Sequence, residues 1–299
     1  MALTDGRSAT ERGSLCALLC SFNRREHTLQ CLRHLQASTG LQGWALTAVL
    51  VDDGSSDGTA DAVQRAFPWV QVQRGDGTLY WARAMHQAFG TALRASHGHY
   101  LWLNDDTLLA PDALARLVAT AAERQSALGV PVIVAGTAVV PLSDAASYGG
   151  RSRPARWRRS TWQLVQPGQQ PQRVETMDGN IVLISAAAAE RLGNLDAAYE
   201  HAMADYDYGL RATALGVPVW LAPGVHGSCQ QNPTRGTFHD SELSLRQRWR
   251  ALLHRKGLPW RSWWRFTFRH TGWLWPVYFV WPYARVLFGW PARASRQNR

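Results

Sequence analysis

"ALTAVLVDDGSSDGTADAVQRAF", residues 45–67, passes from an apolar run through two adjacent carboxylates, Asp52 and Asp53, into a helical pattern. A short apolar run closed by polar residues reads as a strand, and the spacing of apolar positions after it reads as a helix. The same phrase recurs along the chain. "SLCALLCSF" precedes "REHTLQCLRHLQAS", "WVQVQR" precedes "YWARAMHQAFGTALRAS", and "GHYLWLN" precedes a helix opening at Pro111, where proline suits the first turn. Strand alternating with helix predicts an α/β fold with a mostly parallel central sheet. From about residue 137 the rhythm breaks into "YGGRSRPARWRRSTWQLVQPGQQPQ", then resumes with "GNIVLIS", "DYDYGLRATALG" and "VPVWLAPG". There is no internal repeat.

With 299 residues, 46% hydrophobic and 18% charged, the chain can bury a sizeable core, which excludes general disorder. The formal charge of +10 fits nucleic acid, an anionic membrane surface or an anionic substrate, so its location has to decide. Four cysteines, at 16, 20, 31 and 229, form no CxxC pair and no zinc spacing, and are expected as reduced core residues. Residues 1–13 read as a polar tail without the apolar region of a signal peptide, from which the folded part is expected in the cytosol.

Three predicted strands end in polar groups: Asn23 after the first, Asp52 and Asp53 after the second, Asp105 and Asp106 after the fourth. Parallel strands that end on one edge share one cleft, where ligands of open α/β sheets gather. Neighbouring residues on a strand face opposite ways, so at most one carboxylate of each pair has to aim into it. Two close carboxylates raise each other's pKa unless a cation sits between them, and a divalent ion bridging a diphosphate meets that need. Asp, Asn and Ser also cap helices at such places. Capping explains either segment alone better than it explains both at equivalent strand ends.

"CSFNRREHTLQCL", "VLVDDGSSDGTAD", "GTLYWARAMHQAF", "YLWLNDDTLL" and "DYDYGLRATALGVPVWLAPG" stand in the order found in family-2 inverting glycosyltransferases of the A-type fold. The chain resembles in particular bacterial enzymes that build surface polysaccharides, such as rhamnosyltransferase-like ones. That resemblance runs from about residue 14 to about 240. It implies a single Rossmann-like domain that binds a nucleotide-diphospho-sugar and moves the sugar, with inversion, onto an acceptor hydroxyl. By the same resemblance Asp53 meets the nucleobase, Asn23 lies at the nucleotide end of the first strand, and Asp106, with Asp105 beside it, holds Mg2+ or Mn2+. A carboxylate suits the imide N–H of uracil or thymine, which favours a UDP or dTDP donor. The motif is Asn104-Asp105-Asp106 here, not Asp-any-Asp. In "EHAMADYDYGLRA", Asp205 matches the position of the general base; Ala204 replaces the Glu common before it, which leaves Asp207 as the alternative base.

Other positions carry two readings. Trp81 can pack on the donor sugar or sit in the core, and Arg83 can contact diphosphate or face solvent. His226 ends a strand, as a metal ligand or as a hydrogen-bonded structural residue. All of the excess positive charge follows Glu242, where there are twelve basic residues, no acidic ones and eight of the fifteen tryptophans. Residues 241–299 are therefore expected as a helical Trp/Arg-rich extension, with no uncharged run of 18 residues to span a bilayer. It reads as an element peripheral on the inner face of the cell membrane, near a lipid-linked glycan acceptor, or else as helices packed on the domain or at a dimer contact. Two rival classes fit less well. A nucleotidyltransferase is expected to carry a Gly-rich phosphate loop with a lysine, and the one lysine, Lys256, stands far downstream. An inactive binding module leaves the carboxylates unexplained, and no nucleic-acid motif is present.

Overall fold

The computed structural model describes residues 13–288, so most of the expected polar tail and the last eleven residues of the extension lie outside it. Strand β1 (Gly13–Ser21) pairs in parallel with β2 (Trp44–Asp52), from Gly13 opposite Trp44 to Ser21 opposite Asp52. On the outer side of β2 lies β3 (Val70–Arg74), and on the other side of β1 lies β4 (His99–Leu103), both parallel. Helices α1 (Arg25–Gln36), α2 (Thr59–Ala66) and α3 (Tyr80–Ala95) make the crossovers. Along β1 the side chains alternate between two cores: Leu15, Ala17 and Leu19 pack with α1 and α2, whereas Cys16 and Leu18 pack with α3. Burial of both faces explains the nearly continuous apolar run read from the sequence.

After β4 come β5 (Leu108–Leu109), α4 (Ala113–Leu128) and β6 (Ile133–Val139). Helix α4 starts two residues after Pro111, which lies in a turn closed by the Ala113 N–H to Ala110 carbonyl bond at 3.0 Å, while the Pro111 carbonyl accepts from the Thr39 N–H at 2.7 Å. The irregular stretch forms short strands β7 (Ala146–Tyr148), β8 (Gly150–Ser152), β9 (Gln163–Leu164), β10 (Gln172–Val174) and β11 (Thr176–Met177). Three of them, in the order β11-β8-β9, make a small separate sheet. Then follow β12 (Ile181–Ser185), α5 (Ala186–Leu192), α6 (Ala204–Ala214) and β13 (Val219–Ser228). The main sheet is ordered β10-β13-β6-β12-β4-β1-β2-β3. Because β12 is antiparallel to β4, with Ile181 opposite Leu103, its start brings residues 178–180 to the edge where β1, β2 and β4 end.

The extension contributes α7 (Leu245–Leu253), α8 (Trp260–His270) and α9 (Trp275–Leu287), the first opened by a Ser244/Gln247 capping box. It is not a separate appendage. Trp263 and Phe266 of α8 are buried in the same core as Tyr199 and Tyr208. Arg265 and Arg269 turn toward the domain, pairing with Asp196 at 2.6 and 3.0 Å, so these two arginines are taken from any lipid-facing role. The opposite face leaves Trp264, Phe268, Trp273 and Val277 exposed. Among the described residues no helix is long and apolar enough to cross a membrane. All four cysteines are unpaired, and three of them are buried.

Candidate active site

The ends of β1, β2 and β4, the start of α3 and the residues before β12 and α6 enclose a cleft of about 670 Å³. That volume suits a small organic ligand. Asp105 and Asp106 stand at its centre, and a cation already joins them: Nη1 of Arg24 lies 3.3 Å from Asp105 Oδ1 and 2.5 Å from Asp106 Oδ2. Asp105 is buried, and burial raises its pKa to about 6 against the pull of Arg24. Asp106 remains partly open to the cleft. The guanidinium shows that this carboxylate pair takes a cation, so the donor set fits a divalent ion held by Asp106 with Asp105 behind it. Among the described residues no cluster of three or more His, Cys, Asp or Glu surrounds the spot. Such an ion would draw its other ligands from water and from phosphate, as Mg2+ commonly does. The change from Asp-any-Asp also has a local cause: Asn104 Oδ1 accepts the indole N–H of Trp81 at 2.8 Å.

Trp81 lines the cleft with its ring against Gly179, where a Cβ would stand 2.4 Å away. Asp53 also reaches the cleft, but its oxygens are engaged. Oδ1 accepts from the Gly77 and Leu79 N–H groups at 3.0 and 3.2 Å, and Oδ2 from Tyr80 N–H at 2.8 Å. It thus fixes the loop that opens α3, which weakens the case for a free acceptor facing uracil. Asn23 turns away from the cleft in a left-handed conformation (φ 51°), and its Oδ1 accepts the Ser56 N–H at 2.8 Å. Its work is to tie the β1–α1 turn to the β2–α2 loop. Arg83 and His226 do not line the cleft. His226 is fully buried, with burial lowering its pKa to about 3, and its Nδ1 accepts from Thr137 N–H at 3.3 Å.

Asp205 and Asp207 lie two apart on α6, about 200° around a helix, so they face opposite ways. Asp205 faces the cleft, where its carboxylate accepts the Gly179 N–H at 3.1 Å and the Tyr206 N–H at 2.9 Å. Burial, and then the charge of Asp178, push its pKa up to about 7. Asp207 is fully buried under the C-terminal helices. It meets Arg211 at 2.9 Å, Arg269 at 2.7 Å, His270 at 2.8 Å and the Tyr199 hydroxyl at 3.0 Å. Burial alone would raise its pKa, but the His270 bond and the arginine charges hold it at about 2. Asp207 does not line the cleft: its Oδ1 is shared by Arg269, His270 and the Tyr199 hydroxyl, and its Oδ2 accepts from Arg211. Removing one partner of a buried ion network is strongly destabilising, so Asp207→Asn is expected to cost about 3–5 kcal/mol in urea unfolding. Stability of the variant within about 1 kcal/mol of wild type would refute that anchoring role.

Sequence patterns missed four contributors. Arg24 follows the quoted Asn23 but carries no signal of its own. Asp178, which accepts from Arg151 and from the Tyr206 hydroxyl at 3.0 Å, belongs to the irregular stretch. His254 and Lys256 arrive from the extension.

An open α/β sheet with a cleft at the carboxyl ends of its parallel strands places a ligand site there. The family described as "Glycosyl transferase family 2" matches residues 16–189, more than half of the chain, and the chain belongs to that family. Its fold is similar to the mannosyltransferase PcManGT from Pyrobaculum calidifontis, solved in complex with GDP-Man and Mn2+. The TM-score is 0.51 at 18% identity, over 93% of this chain and 76% of that one. S. aureus TarS 1-349 is also similar, with a TM-score of 0.53 at 10% identity over 91% and 73% of the two chains. No curated protein matches the chain.

Proposed function

We propose that the chain transfers a sugar, with inversion, from a nucleotide-diphosphate donor to an acceptor hydroxyl in the synthesis of a cell-surface glycan. The observation that carries this is Asp205: a carboxylate facing the cleft, raised to about 7, in the same cavity as the Asp105–Asp106 pair. A base with a pKa near the working pH takes a proton most effectively. Asp106 would hold Mg2+ or Mn2+ with Asp105 in support, and that ion would supply Lewis-acid stabilisation of the leaving diphosphate. Trp81 walls the sugar side, and Asp205 removes the acceptor proton as the hydroxyl attacks. PcManGT was solved with GDP-Man and Mn2+, which supports both the donor class and the metal. The preference for UDP or dTDP rests on Asp53, whose oxygens already hold three backbone N–H groups. A donor panel has to include guanine nucleotides and both hexoses and deoxyhexoses. Release of nucleoside diphosphate from one member is the expected result. Release from none would leave the inactive binding module.

The acceptor is proposed to be lipid-linked, with the domain on the inner face of the membrane. The outer face of α8 and α9 supports this through exposed Trp264, Phe268, Trp273 and Val277, in a segment that holds all of the excess positive charge. Basic residues near anionic lipid contribute roughly 1 kcal/mol each, and salt screens them. The protein is expected to co-sediment with anionic vesicles at low salt, and less with neutral ones. Phe268→Ser combined with Trp273→Ser is expected to weaken this at least several-fold. Arg265 and Arg269 are unsuitable probes because they anchor the helix to the domain. Equal sedimentation of the folded variant and wild type would remove the membrane role.

A further inference from the structure

The turn between α7 and α8 crosses over the cleft. The chain reverses there through Gly257 N–H to His254 carbonyl and Leu258 N–H to Leu252 carbonyl bonds, both 2.7 Å. Only glycine fits at 257, since a Cβ would stand 2.3 Å from the Ala251 carbonyl oxygen. Arg255 pins the turn to both walls. Its Nη1 donates to the Thr78 carbonyl at 3.1 Å and its guanidinium lies 5.1 Å over the Tyr80 ring, at the start of α3. Its Nε meets Glu200 at 3.0 Å, on the segment leading to Asp205. The consequence falls on the next residue. Lys256 lines the cleft beside His254 and His201.

Lys256 is the sole lysine in the chain, and among the described residues no carboxylate lies within ion-pair distance of its ammonium. Arg24, the other strong cation lining the cleft, is matched by two carboxylates. The field inside the cavity agrees with this placement: burial, and then the charges of Lys256, His254 and Arg24, lower the His201 pKa to about 4. These cations converge on one space. An unmatched ammonium on a flexible stem, held at the mouth of a cleft, is suited to phosphate oxygens.

We propose that Lys256, delivered by the C-terminal helices, binds the diphosphate of the donor and its departing product, so that the extension completes the donor site. This rests on the nucleotide-sugar reading above. It also explains why the extension is pinned through Arg255 instead of merely packed: the pin sets where the ammonium stands.

The test is calorimetric titration of the full chain with UDP, GDP and dTDP in Mg2+, for wild type, Lys256→Met and Lys256→Arg, with the parent nucleosides followed by ligand-observed NMR. Loss of a charge-assisted contact predicts that Lys256→Met weakens the best-bound diphosphate about tenfold. Nucleoside affinity should stay within about twofold and Lys256→Arg should recover most of the loss, which a merely structural role would not produce. Equal diphosphate affinity in wild type and Lys256→Met overturns the assignment while leaving the donor reading intact. Equal losses for nucleoside and diphosphate overturn it too. Absence of any nucleotide binding by wild type removes the donor reading, and this assignment with it.

Discussion

Asp106→Ala is expected to reduce transfer by at least about 10³-fold in kcat/KM, since it removes the more exposed carboxylate of the pair and with it the proposed electrostatic support of the leaving diphosphate. Asp105 cannot substitute. It is buried and already engaged by Arg24, so the guanidinium would stay on it. The cleaner readout is binding. Wild type should bind a nucleoside diphosphate more tightly when Mg2+ or Mn2+ is present, and Asp106→Ala should show no such gain. A metal-dependent gain of equal size in the variant would place the ion elsewhere. Because Asp106 is partly exposed and lies outside the apolar core, the variant should unfold within about 1 kcal/mol of wild type.

Replacing Asp205 by Asn should lower kcat by about 10² to 10⁴ while leaving nucleoside-diphosphate affinity within about twofold, the pattern of a lost general base. The pH dependence carries a sign. A base acts only when deprotonated, and burial with Asp178 raises this carboxyl to about 7, so wild-type kcat/KM should climb with pH and level off above that value. The limb should vanish in the variant. Asp207→Asn offers the contrast, because it is expected to lose stability while keeping the limb. If the limb disappears with Asp207 instead, the assignment within this helix is reversed.

Which aspartate serves as base was open in the sequence for a geometric reason. Two residues on one helix, two positions apart, differ only in what lies around them. Asp207 is distinguished by Arg269 and His270, more than 60 positions downstream, and no local pattern announces that contact. The strands themselves were legible because burial on both faces leaves an unbroken apolar run, and Asp53, Asp105 and Asp106 were legible because strands in parallel must end on one edge. Asn23 misled. A positive φ rotates it away from the cleft, a backbone event that residue type permits but does not dictate. For His226 the buried, hydrogen-bonded alternative is the one the strand's inward face produces. Lys256 was set aside as remote from every motif, yet α7 and α8 fold back to place it beside the cleft. The aromatic extension was read by composition alone, which could not separate the face carrying Trp263 and Phe266 from the one carrying Trp264 and Phe268.

Displacement by a single base-assisted attack is the central claim, and product stereochemistry tests it without any variant. Purified protein supplied with its turned-over nucleotide sugar and an acceptor should give a glycoside whose anomeric proton and carbon signals, followed by NMR from the first turnovers, report a configuration opposite to that of the donor. A product that retains the donor's configuration would contradict the account, because Asp205 acting as a base on the acceptor hydroxyl cannot give it.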